Sequence, residues 1–175
     1  MPEVFDISKG TNFLLSDAQS FVKKNLQGEG SICPCCNQMA KMYRRPITSS
    51  MAYGLYLMYK EYQNTKDFIH IERFFKRKDI PSSIRGDIPK LRFWGLIEMK
   101  QNIEVTPAGK NKGEPVEGFY KVTAKGVDFI ENKITVPCSV WVYNNTPYDF
   151  EGKEVSIKDC FKKKFDYDKL IKNTL

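Results

Sequence analysis

The chain has 175 residues, of which 41% are hydrophobic, 13% aromatic and 28% charged, a composition that excludes a disordered tail and predicts a folded globular protein. At this length roughly 70% of the unfolded surface is buried on folding, so no disulfide framework is needed. No apolar run reaches about 18 residues, and Met1 to Gly10 lacks a basic stretch followed by an apolar one; neither a membrane span nor a secretory leader is expected, and the cytoplasm is the expected compartment.

Lys and Arg number 28 against 21 Asp and Glu, a formal charge of +7. Residues 1–32 carry 3 basic and 4 acidic side chains, 33–100 carry 13 and 6, 101–136 carry 5 and 5, and 137–175 carry 7 and 6. The excess therefore falls in the second segment, the electrostatic footprint expected of a polyanionic partner such as nucleic acid. The five cysteines are odd in number and three crowd at Cys33, Cys35 and Cys36, which fits a reducing compartment better than a disulfide scaffold. His70 is the one histidine, so a zinc site built of histidines alone is excluded.

In chain order, Ser16 caps a short helix with Phe21, Val22 and Leu26 as its apolar positions and Gly28 and Gly30 beyond its end. Ser31 to Ile47 reads as a hairpin: Cys33 to Gln38 form the turn and Ala40 to Arg45 a strand of mixed faces. Ser49 and Ser50 cap a helix whose Met51, Leu55, Met58 and Tyr62 share one face, and a second helical stretch covers Phe68 to Lys78. A third helix starts at Asp87, tolerates Pro89 in its first turn and stops at Gly95. A strand over Ile97 to Val105, a polar loop from Pro107 and a return strand from Gly118 follow, and Thr123 caps the next helix. Ile134 to Tyr143 is β-branched and aromatic, Asn144 to Pro147 form a turn into a strand or irregular stretch over Tyr148 to Ile157, and Lys158 to Leu170 is a lysine-rich helical ending.

Two motifs within this order carry a resemblance. Trp94-Gly95-Leu96-Ile97-Glu98 resembles the end of the recognition helix in winged regulators of the MarR, ArsR and PadR type, and Tyr120-Lys121-Val122-Thr123-Ala124-Lys125-Gly126 is similar to the return strand of their wing. The resemblance spans about Ser49 to Ile130 and implies an α+β chain with a winged helix-turn-helix core. On that reading residues 1–48 form an amino-terminal helix and cysteine hairpin, 49–133 the winged-helix domain, and 134–175 a β-rich extension. The resemblance implies non-enzymatic binding of double-stranded DNA, with transcriptional control as the role. Arg85, Lys90 and Arg92 would lie at the recognition helix, Lys76, Arg77 and Lys78 would meet phosphates ahead of it, and Lys110, Lys112 and Lys121 would be the wing's share. Gly86 and Pro89 leave that helix only about two turns, and Glu114 and Glu117 put acids into the wing.

More broadly, the Cys-Pro-Cys-Cys turn, the Tyr-Arg-Arg strand and the closing Trp-Val-Tyr-Asn-Asn are similar to small bacteriophage proteins. That likeness implies an alternative: a module that binds a host protein through the aromatic strand around Trp141 and Tyr143. A homodimer fits either reading.

Cys33-x-x-Cys36 has the spacing of a zinc knuckle, because two thiolates on one tight turn can share a tetrahedral ion. A closed structural zinc site needs four ligands, and Cys35, Cys138, Cys160 and His70 are the residues left to complete it. The alternatives are a turn that binds no ion and a redox dithiol, the latter disfavoured because the usual redox turn heads a helix. No nucleophile motif, phosphate loop or metal-spaced carboxylate set accompanies His70, so no catalysis is expected.

Overall fold

The structure, a computed structural model, describes residues 14–100, 118–161 and 166–172. Its elements are mixed helix and strand, as the α+β expectation requires, and no helix among the described residues is long and apolar enough to cross a membrane. The chain divides into two units: Met1–Arg45 with Ser139–Glu151, and Pro46–Cys138 with Gly152–Leu175. Residues 134–175 thus contribute to both.

In the first unit, α1 (Leu15–Lys24) begins ahead of the expected Ser16 cap, and Asp17 does the capping: its carboxylate accepts the Leu14 N–H at 3.2 Å. Val22 of this helix and Leu26 beyond it are buried with Ala40 and Met42, and Phe21, Trp141 and Tyr143 pack half-buried against that cluster. β1 (Ser31–Ile32) and β2 (Met39–Ala40) form the expected hairpin, with Ser31 opposite Ala40 and Ile32 opposite Met39. The strand expected over 40–45 is divided. Met42 leaves the ladder to enter the core and donates its N–H to Leu26 O at 3.0 Å, so β3 (Tyr43–Pro46) starts afresh in another sheet. That sheet has the order β3-β7-β8, where β7 is Val136–Tyr143 and β8 is Thr146–Val155. Asn144 and Asn145, at φ 47° and 60°, make the tight turn between β7 and β8, a conformation that asparagine tolerates better than most side chains.

The second unit is built on α2 (Ser49–Thr65), whose cap is Thr48 and not Ser49 or Ser50: the Thr48 hydroxyl accepts the Met51 N–H at 3.2 Å. Met51, Leu55 and Met58 are buried and Tyr62 half-buried, as their spacing predicts. The helical stretch expected over 68–78 is shorter. Ile69 and His70 form β4 (Ile69–His70), and the His70 ring then caps α3 (Ile71–Arg77) by accepting the Arg73 N–H at 3.2 Å on Nδ1. Ile71, Phe74 and Phe75 are its buried residues. After α4 (Ser82–Arg85) comes the third helix at its expected boundaries, Ile88–Trp94, with Asp87 before it and Gly95 beyond it at φ 70°. It is a 3-10 helix. Residues three apart eclipse in that geometry, and Ile88, Leu91 and Trp94 make one wholly buried column.

β5 (Ile97–Met99) and β6 (Phe119–Val122) complete a sheet of order β4-β6-β5, antiparallel throughout, with Ile69 opposite Tyr120 and Ile97 opposite Val122. The loop expected between β5 and β6 lies outside the described residues. Thr123 caps α5 (Ala124–Ile130) as expected, accepting the Gly126 N–H at 3.0 Å. Its hydroxyl also donates to Gly95 O at 2.6 Å, which joins the two motifs that carried the resemblance. The lysine-rich ending forms α6 (Ile157–Phe161) and α7 (Tyr167–Lys172). Three tyrosine hydroxyls tie the helices together: Tyr59 donates to Glu131 at 2.7 Å, Tyr167 to Ile130 O at 2.8 Å and Tyr56 to Leu170 O at 2.7 Å. Burial and the Glu131 carboxylate together push the Tyr59 phenol up to about 12.

Of the described glycines, Gly126 has the least room for a side chain. A Cβ there would lie 2.1 Å from Leu96 O and 2.8 Å from Val122 Cγ1. Gly126→Ala is therefore expected to lower unfolding free energy by about 2–3 kcal/mol, the cost of forcing a methyl into a filled interior, as read by denaturant titration.

Candidate nucleic-acid interface

The basic side chains singled out by the sequence separate into three groups. Lys76 and Arg77 occupy the last turn of α3 and Lys78 its carboxy-terminal cap, and all three are exposed. Arg73, which sequence reasoning passed over, stands three and four residues before Lys76 and Arg77, on the same helical face. Arg73, Lys76 and Arg77 line an open depression of about 570 Å³. Among the described residues neither Lys76 nor Arg77 makes an ion pair, and the Lys78 ammonium lies 5.6 Å from the centre of the Phe74 ring. The spacing 73, 76, 77 was the available signal for Arg73, once the helix boundaries were fixed.

The second group is engaged by carboxylates. Arg85 donates from Nε to Glu72 Oε2 at 3.1 Å, pairs through its second nitrogen with Glu72 Oε1 at 2.8 Å, and gives its remaining nitrogen to Ile80 O at 2.7 Å. Its side chain is 16% exposed, so this guanidinium fastens α4 to α3. Lys90 pairs with Asp87, three residues earlier at the start of the 3-10 helix. Lys121 pairs with Glu98 across the β5–β6 ladder at 2.9 Å and lies 4.9 Å from the Phe68 ring centre. The hydrogen bond it donates to the Glu98 carboxylate raises the Lys121 ammonium above the ordinary lysine range.

Arg92 is half-buried. Its guanidinium stacks 4.9 Å from the Phe93 ring centre and reaches the Tyr120 hydroxyl only at 3.5 Å, beyond a good hydrogen bond. Lys110 and Lys112, like Glu114 and Glu117, lie outside the described residues. The third helix offers little to a groove, since Ile88, Leu91, Phe93 and Trp94 are buried and its remaining residues are half-buried.

Trp141 and Tyr143, expected as a protein-binding surface, instead pack half-buried against the core of the first unit. Among the described residues, the exposed aromatics there are Tyr43, Tyr148 and Phe150. In the same unit the Cys33–Gln38 turn leaves Cys35 and Cys36 exposed and Cys33 half-buried. Backbone N–H groups of Cys35 and Cys36 donate to Cys33 Sγ and hold that thiol below the ordinary range, while burial and the neighbouring Cys33 raise Cys35. In the second unit Cys160 is buried in α6, Cys138 Sγ lies 2.5 Å from where a Cβ on Gly152 would stand, and His70 is taken up in capping α3. Among the described residues no group of three or more His, Cys, Asp or Glu side chains is gathered as one metal ion would require.

No family model matches the chain, and neither a curated protein nor a solved structure does. The interface therefore rests on its own residues.

Two outcomes follow from the geometry. Arg85→Ala should cost about 1–2 kcal/mol in denaturant unfolding, less than a fully buried charge-assisted pair because Glu72 is largely exposed. In chelator-treated protein near pH 7, mild alkylation followed by peptide mass mapping should mark Cys33 before Cys35, since the thiolate is the nucleophile.

Proposed function

We propose that the chain is a non-enzymatic DNA-binding protein whose second unit is a winged-helix domain, acting in transcriptional control in a bacterium or bacteriophage. The carrying observation is the exposed row Arg73, Lys76, Arg77 and Lys78 at the end of α3, a concentration of cations around an open depression. The sheet order β4-β6-β5, with a two-residue strand between the first two helices and a short third helix before β5, supports the winged-helix reading. So does the bond between Thr123 and Gly95 that joins its two motifs.

On this reading contact is chiefly with phosphates. The cations nearest the third helix, Arg85 and Lys90, already answer Glu72 and Asp87, and Arg92 stacks on Phe93. Phosphate contacts position a duplex without reading it, so affinity is expected to vary little with sequence. Lys110 and Lys112 are the wing's contribution on this proposal. A second reading, a module that binds a host protein, is favoured by one observation: Tyr148 and Phe150 stand 62% and 46% exposed on β8, an edge strand of its sheet.

Fluorescence anisotropy on a random-sequence duplex across a salt series separates the two. Wild-type protein should bind with an affinity that falls steeply with salt. Replacing Lys76, Arg77 and Lys78 by alanine should weaken binding at least about tenfold at low salt and reduce the slope of log K on log salt by about 2–3, roughly 0.9 per lost phosphate contact. Arg85→Ala should leave that slope in place. An unchanged slope in the triple variant, or no binding by the wild type at low salt, would sink the DNA reading.

A further inference from the structure

The Cys33–Gln38 turn carries three cysteines within four residues. Cys33 donates its N–H to Gln38 O at 2.8 Å and its carbonyl accepts the Asn37 N–H at 2.9 Å, with Asn37 in the left-handed region at φ 57°, so backbone hydrogen bonds close the turn. Cys33 Sγ accepts hydrogen bonds from the backbone N–H groups of Cys35 and Cys36 and from both of their thiols. Backbone donors converging on one sulfur orient it before any ion arrives. Cys33 and Cys36 stand three apart on this turn, a spacing at which two sulfurs reach one ion, and Cys36 is exposed.

A closed tetrahedral zinc site takes four ligands at about 2.3 Å for sulfur. The first unit carries three cysteines, all on this turn, and no histidine. We infer that the turn binds zinc between two copies of this chain, Cys33 and Cys36 of each copy supplying the four thiolates around one ion.

The surroundings suit a second copy. Met39, which follows the turn opposite Ile32, is 46% exposed, and Leu15 is 64% exposed. Leu15 shares with Cys33 and Cys35 the wall of a groove of about 370 Å³. Joining two turns would remove this apolar rim from water. Lys23 lines the same groove. Four thiolates around a divalent ion leave a net charge of about −2, which one ammonium from each copy offsets.

The test uses the full chain, stripped of metal under a reducing agent and titrated with zinc, with bound metal read by elemental mass spectrometry and molar mass by light scattering. One zinc per two chains and a doubling of mass are expected, with a chelator restoring the original mass. Cys36→Ser should abolish both responses while Cys35→Ser keeps them, and the metal-free unfolding midpoint of each variant shows that it folds. Titration with cobalt in place of zinc should end at half an equivalent, with the visible bands of a four-thiolate site. The inference is overturned by one ion per chain, by zinc retained in Cys36→Ser, by a dimer that forms without metal, or by no binding. None of these readouts involves DNA, so they stand or fall apart from the function proposed above.

Discussion

One threonine joins four elements of the second unit. Thr123 Oγ1 donates to Gly95 O at 2.6 Å and accepts the Gly126 N–H at 3.0 Å, while the Thr123 backbone N–H donates to Leu96 O at 3.2 Å. The end of the third helix, the start of β5, the end of β6 and the first turn of α5 therefore meet at this residue. Each neighbouring choice follows from that meeting. Gly95 takes a left-handed conformation to turn the chain, and Gly126 has no side chain because Leu96 O occupies the place of its Cβ. Trp94 is then held from the far side, its indole N–H donating to Pro137 O at 2.7 Å.

That junction explains why part of the fold was legible in the sequence. Thr123 as a cap, Gly95 as a stop and the Met51, Leu55, Met58 face all follow from local rules, and all stand in the structure. The misplaced features share a different cause. Ser16, Ser49 and Ser50 have the chemistry of caps, but Asp17 and Thr48 reach the open N–H groups instead, a choice of geometry that composition does not reveal. β4 is two residues long and exists only because β6 returns beside it from some fifty residues later, so no local periodicity announces it. Met42 breaks an alternating strand because the core of the first unit lies beneath it.

The candidate interface was legible in residue type and not in pairing. Counting cations located the basic segment, yet Glu72, Asp87 and Glu98 each take one of those cations into the scaffold. What decides a cation's role here is the nearest carboxylate, and two of the three carboxylates reach their partner only through the fold. The aromatics divide in the same way: Trp141 and Tyr143 face the core, and Tyr148 and Phe150 on the neighbouring strand do not.

The winding of the third helix carries a further consequence. A 3-10 helix advances about 2.0 Å and 120° per residue against about 1.5 Å and 100° for an α-helix. Over the six steps from Ile88 to Trp94 an α-helical rewinding would shorten the segment by about 3 Å and swing the indole about 120° out of line with Ile88. Trp94 is fixed by Pro137 and Ile88 sits under Gly54, whose Cβ would stand 2.6 Å from the isoleucine. Both ends of the rod are thus clamped at the longer, tighter pitch, and replacing Pro89 with a stronger helix former would give it no room to change its winding.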